Sequence, residues 1–120
     1  MPTNIKIPNS AWHTQDITVG GELIRLTLKY NTSDEMWYLD LANASGNTLL
    51  NGVKVMPNQS LTKRYKATVS LPDGNLWCVR RKNDFSPPSR DNLGIGKTYE
   101  LWWISSNEEE EIGIDDIIQL

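Results

Sequence analysis

The chain has 120 residues, enough for one domain that buries roughly two-thirds of its unfolded surface. Its 12 basic residues nearly offset 15 acidic ones. The acidic excess sits in the run Glu108 to Glu111, so the body has no broad field to draw nucleic acid or an anionic membrane. One cysteine, Cys78, cannot form an internal disulfide and suits folding in a reducing cytoplasm. The N-terminal residues lack the charged-then-apolar pattern of a signal peptide, and no apolar run approaches membrane-spanning length. The expectation is a soluble protein made in a cytoplasm.

Strand signals dominate from the start. Ile5-Lys6-Ile7 beside Pro8 suits an edge strand, and Gln15 to Val19 is a second candidate, closed by Gly20-Gly21. In Glu22 to Tyr30, Ile24, Leu26, Leu28 and Tyr30 share one face and Arg25, Thr27 and Lys29 the other, with Leu23 the exception. Asn31 to Asp34 turns the chain into Met36 to Asn43, where Trp37, Leu39 and Leu41 alternate with Tyr38, Asp40 and Ala42. Ala44 to Asn47 supplies the next turn, with Gly46 free to take positive φ. Such punctuation is that of an antiparallel meander.

Beyond Gly52, Val53 to Met56 reads as a strand ending at Pro57, and Ser60 is placed to cap a short helical turn through Arg64. Pro72-Asp73-Gly74-Asn75 is a strong turn signal, so Ala67 to Val79 reads as a hairpin. Arg80 to Arg90 is a polar loop stiffened by Pro87-Pro88. After the turn Asp91 to Gly94, Lys97 to Ile104 is a strand apolar on both faces, as a doubly covered or interface strand would be. Trp37, Trp77 and Trp103 are assigned to the core; Trp12 and Trp102 are harder to house and fit a partner surface better.

These pieces occur in an order that resembles the baseplate plug proteins of contractile-tailed phages. The resemblance rests on Tyr30, then Trp37-Tyr38-Leu39-Asp40-Leu41, Gly46 to Gly52, Leu61 to Tyr65, Asp73-Gly74-Asn75-Leu76 and Asp91-Asn92-Leu93-Gly94. It spans about Leu23 to Ile104. It implies an all-β fold, a small antiparallel barrel of the oligonucleotide/oligosaccharide-binding (OB) type. Periodicity alone leaves a β-sandwich open, although barrel closure is the usual way for short strands to hide their edges. It further implies a structural component of the baseplate plug and hub region in the virion. Contacts would be to other baseplate, hub and tail-tube proteins, in several copies. Residues 1–106 form the expected barrel domain and 107–120 an acidic, aliphatic tail, flexible or docking.

Reactive chemistry is sparse. His13 is the lone histidine, and Cys78 has no histidine near it in sequence. No cysteine or histidine cluster suggests zinc, acidic residues do not fall at calcium-loop spacing, and Gly94-Ile95-Gly96 opens a strand rather than a phosphate-cradling helix. The reading is therefore no enzyme, no cofactor and no metal. Protein contact is assigned to Trp12, Arg80, Arg81, Phe85 and Trp102, and to the tail residues Ile112, Ile114, Ile117 and Ile118. The alternative is a single-stranded nucleic-acid-binding module using Arg80, Arg81, Lys82 and Phe85, which the acidic balance disfavours. Asp40, a carboxylate between apolar neighbours, is read either as solvent-facing or as the acceptor for a backbone donor.

Overall fold

A computed structural model describes residues 3–56, 59–65, 71–82 and 86–105 of the chain. In chain order the strands are β1 (Thr3–Ile5), β2 (Trp12–Val19), β3 (Glu22–Asn31), β4 (Met36–Asn43), β5 (Thr48–Lys54), β6 (Gln59–Ser60), β7 (Asn75–Arg80) and β8 (Tyr99–Ile104). One 3-10 turn, Lys63–Tyr65, follows Ser60, whose Oγ accepts the Lys63 N–H at 3.0 Å, the cap its sequence position suggests. The molecule is all-β, in two four-stranded antiparallel sheets ordered β2-β3-β4-β5 and β1-β8-β7-β6. The ladders of the described residues do not close into one barrel; the sheets stack as two layers.

The first sheet is the meander announced by its alternation. Ile24, Leu26 and Leu28 of β3 and Trp37, Leu39 and Leu41 of β4 are all buried, while Arg25, Thr27, Tyr38 and Asp40 point the other way. These inner residues form one core cluster with Ile5, Leu76, Cys78, Tyr99, Leu101 and Trp103 of the second sheet. Trp37, Trp77 and Trp103 are buried as expected. The indole N–H of Trp37 donates to the Ser89 carbonyl at 2.7 Å and that of Trp103 to Asp73 O at 2.9 Å, so neither buries an unmet donor.

The second sheet is apolar on both faces. Trp77, Val79 and Ile104 form a second buried cluster on the face away from the main core, with Trp102 packed against them. Opposite it, Leu76, Cys78, Leu101 and Trp103 face inward. This double covering is what the two-sided apolar pattern of β8 anticipated.

Strand boundaries differ from expectation in several places: β2 starts at Trp12 rather than Gln15, and β8 at Tyr99 rather than Lys97. The first strand is Thr3–Ile5, because pairing of Ile5 with Leu101 sets its register and the chain must then leave β1 to reach β2 in the other sheet. The strand expected to begin at Val53 instead starts at Thr48 and runs through Gly52 as one bent strand, β5, with a bulge: Leu39 pairs with Val53 but Leu41 with Leu50. Gly52 takes φ 69 there, a left-handed conformation open to glycine at no Cβ cost. At the Asp73-Gly74 turn the reason for glycine is different. A Cβ on Gly74 would lie 2.5 Å from Ile104 O and 2.6 Å from Trp103 Nε1. The first arm of the expected Ala67 to Val79 hairpin lies outside the described residues from 66 to 70.

Candidate protein-contact surfaces

Of the residues assigned to contact, Trp12 opens β2 and is 66% exposed, the largest apolar exposure among the described residues. Its register partner is Lys29, whose partner on β4 is Tyr38, which in turn pairs with Lys54 on β5. A row of alternating aromatic and cationic side chains thus crosses the outer face of the first sheet. Lys29 Nζ lies 5.1 Å from the Trp12 ring centroid and 2.6 Å from Asp40 Oδ2. The Tyr38 hydroxyl donates to Asp34, which raises the tyrosine pKa. Two residues along, the Thr14 and Thr27 hydroxyls share a hydrogen bond at 3.0 Å, and four along, Asp16 accepts from Arg25 Nε at 3.0 Å.

Asp40 is the hinge of this face. Its Oδ1 accepts the Gly52 N–H at 2.7 Å while Oδ2 holds Lys29, so the carboxylate satisfies the backbone donor exposed by the bulge. Beside it lies a shallow hollow of about 160 Å³, lined by Arg25, Thr27, Ala42, Thr48 and Asn51 among others.

The second cluster sits on the outer face of the other sheet. Arg81 Nε is 3.5 Å from Glu100 Oε1, and the same oxygen accepts the Trp102 indole N–H at 3.0 Å. Glu100 Oε2 accepts the Gly96 N–H at 2.8 Å. Arg81 and Trp102 are therefore joined, through a buried glutamate that sequence reading passed over. Its signal was there: Glu100 is the one charged residue in the strand Tyr99–Ile104. Arg80 ends β7, half-buried and next to Arg81. Trp12 lies on the opposite sheet, so the assigned residues form two surfaces rather than one. Phe85, Ile112, Ile114, Ile117 and Ile118 lie outside the described residues.

The second half of the polar loop is pinned on the core. The Tyr99 hydroxyl donates to Ser86 O, Asn92 Nδ2 donates to Pro87 O at 3.1 Å, and the Ser89 N–H reaches Asn92 Oδ1 at 2.6 Å. Arg90 sits 6.0 Å from the Trp37 ring centroid.

The two reactive side chains behave as structural groups. Cys78 is buried in the core, and burial pushes its thiol pKa up to about 12, the reverse of what a nucleophile needs. His13 is half-buried at the rim of the sandwich, and burial lowers its pKa. Among the described residues no group of three or more His, Cys, Asp or Glu side chains is placed to hold a metal ion. No helix among them is long and apolar enough to cross a membrane.

The class the fold defines is a small all-β domain of two antiparallel sheets, with its one thiol buried in the core. The particular family follows from comparison: residues 3–108 match the family described as the plug gp18 of the cyanophage Pam3 baseplate, and the chain belongs to that family of structural phage baseplate proteins. Among curated proteins no relative is detectable.

Proposed function

We propose that the chain is a plug in the hub region of a contractile-tail baseplate, sealing and bridging that region through protein contacts during assembly. The observation that carries this reading is family membership over residues 3–108. Burial of the thiol and engagement of the charged side chains in local pairs support a structural role over a catalytic one. The exposed Trp12 row and the Arg81–Glu100–Trp102 cluster, on opposite sheets, would let one copy touch two neighbours among the hub, tail-tube and other baseplate proteins. Residues 107–120 would act as a docking arm, with Ile112, Ile114, Ile117 and Ile118 as its apolar contacts. The partly open OB-like barrel implied by the resemblance stays a proposal about how the two sheets relate to the family's architecture.

Co-expression of the tagged chain with the hub and tube proteins of its phage tests this reading. Co-purification that is lost on substituting Trp12 or Arg81, or on deleting residues after Ser106, supports it. Unchanged assembly after the deletion rules out the docking arm. Tight, salt-sensitive binding of single-stranded DNA by the isolated chain would favour the nucleic-acid reading instead. Against that reading, Asp16 and Asp40 lie among the cations of the Trp12 face.

A further inference from the structure

The corner where the chain crosses from the second sheet to the first holds a polar relay that the contact surfaces do not use. Lys6 follows directly on β1, and its carbonyl accepts a hydrogen bond from Gln15 Nε2 on β2 at 2.8 Å. That contact fixes which end of the Gln15 amide is nitrogen. The same Nε2 lies 3.2 Å from Nε2 of His13. An amide nitrogen only donates, so His13 Nε2 is the acceptor and the proton of the neutral ring sits on Nδ1. Nδ1 is buried and, among the described residues, has no partner.

We infer that His13, Gln15 and Lys6 form an acid-opened latch that ties β1 to the edge of β2. Protonating His13 puts a hydrogen on Nε2 and sets donor against donor across the 3.2 Å contact. Turning the amide over relieves that clash but aims its oxygen at the Lys6 carbonyl, oxygen against oxygen. Turning the amide over therefore breaks the Gln15–Lys6 bond. The groups around the ring do not offset the new charge. Lys6, Pro8, Thr14 and Gln15 line the cleft of about 260 Å³ beside His13, so among the described residues its other titratable group is a cation and no carboxylate lines it. On the neighbouring strand, Lys29 and Arg25 face the opposite side of the sheet, held by Asp40 and Asp16. Burial already lowers the His13 pKa, as a ring kept neutral requires.

The consequence falls on β1. It is a three-residue edge strand held by three register pairs to β8 and by Ile5 in the core, and the Lys6 contact ties its C-terminal end to the other sheet. With the latch open, β1 frays and uncovers an edge of β8, whose backbone groups then become available for strand addition by a neighbouring protein.

As the chain has a single histidine, nitrogen-15 NMR of the intact protein reads the device directly. The expected result is the Nδ1–H tautomer at neutral pH and a midpoint below 6.5. Below that midpoint the β1 amides that bond β8 lose exchange protection while those of Leu26 and Leu39 keep theirs. Gln15→Glu places a carboxylate against the ring, so it raises the midpoint above 6.5, and, having no donor for the Lys6 carbonyl, it leaves β1 as weakly protected at neutral pH as in acid. An Nε2–H tautomer, equal protection of the β8-bonded β1 amides on both sides of the midpoint, or an unmoved midpoint in Gln15→Glu overturns the latch.

Discussion

The Asp40 carboxylate accepts the Gly52 N–H at 2.7 Å, joining the middle of β4 to the bulge of β5. The aspartate of the W-x-L-D-L strand and the last glycine of the G-x-x-L-L-x-G segment are thus one structural unit. Asp40→Ala leaves that N–H without its acceptor and frees Lys29, and is expected to cost about 1–3 kcal/mol by denaturant unfolding. Asp40→Asn retains an acceptor and is expected to cost less. Equal losses in the two variants would show that the ion pair to Lys29, not the Gly52 bond, carries the effect.

Two glycines separate backbone strain from crowding. Gly52 has φ 69, and a Cβ added to it would meet nothing within 4 Å, so Gly52→Ala is expected to cost about 1–2 kcal/mol, from the left-handed backbone alone. Gly74 combines φ 108 with an approach of 2.5 Å to Ile104 O, so Gly74→Ala shifts β8 as well and costs more. Thermal melts of the two variants check the order.

Cys78 is expected to resist alkylation. With its pKa pushed to about 12 and its sulfur in the core, thiol reagents at mildly alkaline pH react only as fast as the chain opens. Because the folded thiol pKa is raised, its contribution to stability is complete at neutral pH and is lost as pH climbs from the unfolded value of about 9 towards 12. Rapid labelling under native conditions contradicts the core placement.

His13 gives the opposite slope. The folded chain holds its pKa below 6.5, so the unfolded chain takes up the extra proton first. Stability is full above about 6.5 and falls as pH drops from there through the folded value. Urea midpoints across this range are expected to fall with acid in the natural chain and to flatten in His13→Gln.

Alternation in Met36–Asn43 and Glu22–Asn31 made the meander legible residue by residue, because burial on one face imposes a period of two. What periodicity does not carry is partition. Ile5 faces the core in either reading, yet only its pairing with Leu101 decides that β1 belongs to the second sheet and ends before Lys6. Gly52 looked like a strand boundary because a bulge and a turn ask the same backbone freedom of glycine. Trp12 was legible as exposed, being ahead of the nearest expected strand. Glu100 was missed because strand patterning counts a lone charge as outward, whereas here Gly96, Trp102 and Arg81 give it partners that permit burial.

Trp12 tests separation of folding from contact. Trp12→Ala is expected to change stability by less than about 1 kcal/mol, the scale of its contact with Lys29, whereas Trp37→Ala removes a core anchor and costs about 3–5 kcal/mol. If Trp12→Ala leaves co-purification with baseplate partners intact, the outer face of the first sheet is not a contact surface.

That this polypeptide is a structural part of the tail baseplate is tested most directly by cryo-electron microscopy of purified particles, with mass spectrometry of the same preparation. The expected result is the chain among the virion proteins and a two-sheet β domain as ordered density in the baseplate, with Trp12 or Trp102 buried against a neighbour. A particle with a complete baseplate that lacks this chain would contradict it.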